Sequence, residues 1–307
     1  MNIRERIEAS GPVGYVALGA VAAIAGLLPW LLTGMRLPLQ NLGASNALAD
    51  QMPIALLPFS QYALTLIVAL IVTGSAIAGV LARATRARQP RFGLASIVAG
   101  VLIVQVSATA QTAITVSSGL IQSRAALTYL VGLTVGTIAA TLVGLLVLLL
   151  IARAPAAGAV VAASLAAVAF SVWLPAVFQT PLRPVTNESV AVFLGMIRWV
   201  PAVIVGCAVI WSGVATIGRF TAAIVSLLAL WIGPALFTGV SSAVGSRSLA
   251  RYPAEMIDYG TQVFFSALVA KNGSVSVLLT AVGVMVIGLI TRWAIQRRRT
   301  YSTASTM

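Results

Sequence analysis

The chain has 307 residues, of which 60% are hydrophobic and 8% charged, with a mean hydropathy of +1.03. A soluble domain carries about a quarter charged residues, and a disordered chain has too few apolar residues to match this one, so composition excludes both classes. The net charge of +13 comes from eighteen arginines and one lysine, Lys271, against six acids; the arginines flank apolar runs, so membrane orientation explains them and no nucleic-acid partner is expected.

A helix crossing roughly 30 Å of hydrocarbon needs about 20 apolar residues. Eight such segments follow one another, at 13–35, 62–81, 92–112, 127–151, 156–178, 200–217, 220–240 and 275–293. Arg153 with Pro155 marks a tight turn between the fourth and fifth, and Gly218 with Arg219 marks one between the sixth and seventh. The expected fold is an all-α, polytopic membrane bundle of about eight transmembrane helices. The first apolar run is too long for a signal core and lacks a clear cleavage site, so it reads as an uncleaved span. An apolar stretch, 263–270, is too short to cross and lies within 253–272, which reads as an interfacial or re-entrant segment, or as an early start of the last span.

Orientation follows from the basic residues. With the N-terminus in the cytoplasm, the inner side carries Arg4, Arg6, Arg83, Arg86, Arg88, Arg91, Arg153, Arg219, Arg292, Arg297, Arg298 and Arg299. The outer side carries Arg36, Arg124, Arg183, Arg198, Arg247, Arg251 and Lys271. Twelve against seven favours both termini inside. Arginine far in excess of lysine, with abundant Ala, Gly and Val, suggests a GC-rich bacterial genome and an inner (cytoplasmic) membrane location.

Several chemistries are excluded. Histidine is absent, which removes the usual proton shuttle and the commonest metal ligand. The single cysteine, Cys207, lies in an apolar stretch and forms neither an internal disulfide nor a thiolate cluster. The acids Glu5, Glu8, Asp50, Glu188, Glu255 and Asp258 all fall outside the eight segments, which argues against carboxylate-coupled cation transport. Nucleotide-binding and zinc-hydrolase motifs are absent. No cofactor, no metal and no catalytic residue is expected, and an enzyme is the least favoured class.

Two sets of spaced matches point to a tandem duplication. Leu28-Pro29, Pro38 and Asn41 recur as Leu174-Pro175, Pro184 and Asn187 with identical spacing. Val116-Ser117-Ser118, Ser123-Arg124 and Tyr129 recur as Val240-Ser241-Ser242, Ser246-Arg247 and Tyr252, with one gap. Two four-helix units are expected, 1–153 and 154–307, inserted with the same orientation as parallel repeats. The second carries the extra outer segment at 253–272.

The duplication pairs Arg124 with Arg247 and nearly pairs Arg36 with Arg183. Four guanidiniums near the outer interface form a candidate site for an anionic headgroup, since the planar fork of arginine suits phosphate and carboxylate. Ordinary snorkelling of arginines at span ends is the simpler account. In the third span, Gln105, Thr109 and Thr112 recur at helical spacing and share a face. That face either makes interhelical hydrogen bonds or lines a polar path. Gly132 and Gly136 place two glycines on one face of the fourth span, suited to close packing. Two readings of function follow: a permease or flippase-like carrier of an anionic or amphiphilic solute, or a non-catalytic membrane subunit that scaffolds an envelope complex. The lipid bilayer, possible anionic lipid and a membrane-protein partner or oligomer are the partners these imply. Short inner loops leave little surface for a separate soluble ATPase.

Overall fold

A computed structural model describes residues 11–37, 52–120, 123–178, 188–246, 248–249, 252–269 and 274–304. Ten α-helices are described: α1 Gly11–Leu32, α2 Leu64–Thr85, α3 Gly93–Gly119, α4 Arg124–Arg153, α5 Ala156–Ala176, α6 Glu188–Ile197, α7 Val200–Ser212, α8 Ile217–Gly245, α9 Pro253–Val269 and α10 Ser274–Ala304. Eight helical segments among them are long and apolar enough to cross a membrane. Seven of them match expected segments closely, and α3, α4 and α8 extend further than expected. At about 1.5 Å per residue their 27, 30 and 29 residues outreach the hydrocarbon layer.

Local chemistry sets the ends. Ser123 caps α4 by accepting from the Ala126 N–H at 3.1 Å, and Thr216 caps α8 by accepting from the Arg219 N–H at 3.4 Å. The sixth span differs from expectation. It comprises α6 and α7, running over Glu188–Ser212 with a break at Arg198 and Trp199. It stops at Gly213, whose φ of +69° favours glycine, so Ile217 opens the next helix. The break exists because Pro201 lacks the N–H that would bond back to Ile197.

The start of α1 defines the proximal end of the bundle. The ends of α2, α4 and α7 lie there too. Tyr15 Oη donates to Arg88 O at 3.3 Å, and Arg83 Nη1 donates to Ile151 O and Ala154 O at 2.6 and 3.1 Å. In the first four spans α1 packs on α2 and α3, and α2 packs on α4. Among the next four, α5 packs on α7 and α8, and α10 packs on α7 and α8. The two groups meet where α5 lies on α2 and α4, through Ala162 and Ala169 against Val72, Ala76 and Val147. The α1–α2 crossing is close because Gly26 faces Gly74: a Cβ on Gly26 would sit 2.5 Å from the Gly74 Cα. Gly136 of α4 meets the Leu64 side chain, whereas Gly132 has open space around it.

The segment 253–272 contains α9, which is a separate helix. It runs antiparallel along α8: Gly260 lies against Gly239, and Trp231 Nε1 donates to Leu268 O at 3.2 Å. Trp231 is at the midpoint of α8, so α9 descends from the distal end to about mid-length and stops.

Candidate functional site

The distal end of the first four spans is closed by an extended stretch, 52–60, that folds inward. Ala55, Leu57 and Phe59 are buried in the same apolar cluster as Trp30, Leu66 and Ile67. A buried irregular segment must place every backbone polar group with a partner. Three groups on other helices do this work. Gln111 Oε1 accepts from Leu56 N–H at 2.9 Å, while its Nε2 donates to Ile54 O at 2.9 Å. Thr112 Oγ1 accepts from Leu57 N–H at 2.9 Å. Trp30 Nε1 donates to Ala55 O at 2.8 Å. The chain before it completes the seal: Ala55 N–H donates to Met35 O, and Leu37 N–H donates to Pro53 O.

The polar stripe of α3 therefore divides into two tasks. Thr112, fully buried, belongs to the seal. Gln105, 3% exposed, lies deeper, where its Nε2 donates to Ile71 O at 3.1 Å and to Ser75 Oγ at 3.0 Å on α2. Its Oε1 has no partner among the described residues. Between them Thr109 bonds only to its own helix, donating to Gln105 O at 2.7 Å.

Of the four arginines proposed for a headgroup, Arg36 and Arg124 are described, and both are exposed at the distal end. Arg36 Nη1 donates to Met52 O at 3.1 Å, so it borders the seal. Arg124 is the first residue of α4, and Thr128 Oγ1 donates to its carbonyl. Arg183 and Arg247 lie outside the described residues, as do Pro38, Asn41, Pro184 and Asn187 of the repeat.

Three further arginines hold positions that span counting did not reveal. Arg198 lies inside the sixth span, its guanidinium 4.4 Å from the Trp199 ring centre. Arg83 joins the end of α2 to the α4–α5 turn and stands 5.0 Å from the Trp211 ring centre. Arg292 Nη1 donates to Ile210 O and Trp211 O at 2.5 and 3.2 Å. The adjacency Arg198-Trp199 was the available signal for the first, since guanidiniums stack on aromatic faces.

These features define a helical multi-pass membrane protein with a closed distal cap. No protein-family model matches the chain, and no curated protein or solved structure shows significant similarity to it.

Proposed function

We propose that the chain is a non-catalytic membrane subunit built from two parallel four-helix repeats, with its second repeat open to a helix of a partner protein. Equivalent packing supports the repeat. In each half the third span lies on the first, the fourth on the second and the second on the first. Arg91-Phe92 precedes α3 as Arg219-Phe220 opens α8. A Cβ on Gly144 of the fourth span would collide with Ser75, and one on Gly288 of the eighth would collide with Ile210 of the sixth.

One observation carries the partner reading. The α2–α4 side of the first repeat is covered by the alanine face of α5. Among the described residues no helix covers the matching side of α7 and α10. The membrane window of α4 is 39% buried and that of its counterpart α10 is 6%, while that of α2 is 67% buried and that of its counterpart, the sixth span, 28%. A small-residue helix of another chain suits this exposed face, because close approach of backbones drives association in lipid.

A carrier of an anionic solute is the second reading. The distal arginines Arg36 and Arg124 favour it. The filled interior around Gln105 disfavours it, since a polar path needs room for water.

Photocrosslinkers at Leu279 and Ile287 on α10, both exposed, test the partner reading in native membranes. They are expected to capture one defined helical membrane protein, whereas crosslinkers at the equally exposed Leu142 and Leu146 of α4 capture lipid. Lipid adducts alone at all four positions would refute the proposal. Uptake of an anionic solute by reconstituted liposomes, abolished by Arg36→Gln with Arg124→Gln, would favour the carrier.

A further inference from the structure

The proximal end holds a second feature, separate from the distal rim. A cavity of about 280 Å³ lies between the two halves, walled by α2, α4, α5 and α7. Ala76, Val80, Ile151, Ala163, Phe170 and Ile204 line it, and its surface is almost wholly apolar. It extends from the level of Leu81 up to Thr73, about 12 Å along α2 at the rise of a helix. Val80 is 56% exposed, so one wall opens to the lipid-facing surface.

Arg83 stands at the proximal mouth. Its Nη1 is bonded to the carbonyl of Ile151, the residue whose side chain lines the cavity. A guanidinium has five N–H donors, and neither Nε nor Nη2 of Arg83 has a hydrogen-bond partner among the described residues. Trp211 lies beneath the guanidinium, and Arg292 is bonded to the carbonyl of the same Trp211. The described acids are all elsewhere: Glu188 begins α6, and Glu255 and Asp258 lie on α9, which runs along the distal half of α8. Among the described residues, Arg83 at the mouth and Arg292 on the neighbouring Trp211 have no carboxylate beside them, and an apolar slot adjoins Arg83.

We propose that this is a binding site for one anionic phospholipid, with an acyl chain in the α2–α4–α5–α7 cavity and its phosphate on Arg83 and Arg292. The slot supplies apolar burial along a chain-shaped volume. The free edge of Arg83 supplies charge-assisted hydrogen bonds, and Trp211 occupies the headgroup level favoured by aromatic side chains. Bound there, the lipid spans the junction of the two halves, since Ala163 and Phe170 belong to α5 and Ala76 and Val80 to α2.

The test uses the purified full chain, equilibrated with mixed phosphatidylglycerol and phosphatidylcholine, and counts retained lipid by native mass spectrometry. Wild type is expected to retain one phosphatidylglycerol. Arg83→Gln removes the phosphate contact, and Ala163→Phe fills the slot while leaving Arg83 in place. Each should weaken retention about tenfold, the scale of a lost hydrogen bond to a charged group. Arg91→Gln removes the same charge away from the cavity and should retain lipid as wild type does. Should Arg83→Gln fail to fold, Ala163→Phe decides the matter alone. Equal retention in Ala163→Phe, an equal loss in Arg91→Gln, or equal retention of phosphatidylcholine would overturn the site.

Discussion

Thr109 and Thr112 are one turn apart on α3, yet their hydroxyls have different consequences. Thr112 Oγ1 is the acceptor for a buried backbone N–H on a different segment, that of Leu57. Replacing it by valine keeps the shape and strands that N–H, at a cost of about 1–3 kcal/mol. Thr109 bonds back to its own helix, so Thr109→Val should cost close to nothing. Thermal unfolding in detergent should separate the two variants clearly, with Thr112→Val lower. Equal melting temperatures would mean that the 52–60 seal does not depend on α3. Gln105→Leu should fall between them, about 0.6 kcal/mol for a typical hydrogen bond between membrane helices. The shared face of these residues was legible from their spacing. Their partners were not, because a backbone donor 55 residues away leaves no periodic trace in sequence.

At the scale of elements, hydropathy gave the number of spans and located seven of the eight closely, because lipid demands long apolar runs. It was weaker at interruptions. Arg198 looked like a loop residue, whereas stacking on Trp199 lets it sit within Glu188–Ser212. The depth of α9 was not legible either: its apolar run is short, and tertiary contacts such as the Gly239–Gly260 approach and the Trp231–Leu268 bond fix it beside α8. Glycines present the same contrast between motif and contact. Gly132 belongs to a GxxxG spacing but has nothing within 4 Å of a Cβ placed on it, whereas Gly26 has backbone at 2.5 Å. Gly26→Ala should therefore force α1 from α2 and destabilise by about 1–3 kcal/mol. Gly132→Ala should be neutral or stabilising by about 0.5–1 kcal/mol, the ordinary gain from glycine to alanine in a helix. Unfolding midpoints of the two variants in one detergent provide the comparison, and a destabilised Gly132→Ala would place an unseen neighbour against α4.

For the whole molecule, the arrangement of positive charge and the number of crossings make a joint demand. An even number of crossings returns a chain to the side on which the first one started, and the two proposed units of four would share one orientation. Arginines at the proximal end lead to the expectation that this side faces the cytoplasm, since basic segments are retained there during insertion. The single cysteine makes this testable. With Cys207→Ser as background, cysteines are placed at Ala87 after α2, at Val214 between α7 and α8, and at Ser118 near the end of α3, three exposed positions. A membrane-impermeant maleimide should label the Ser118→Cys variant in intact cells, and the Ala87→Cys and Val214→Cys variants only after lysis. Reversed labelling of all three would invert the orientation while keeping the repeat. Opposite behaviour of Ala87→Cys and Val214→Cys would remove the like-oriented repeat itself. The exposed face of α7 and α10 would then lose its counterpart in the α2–α4 side that α5 covers, and the partner proposal would rest on exposure alone.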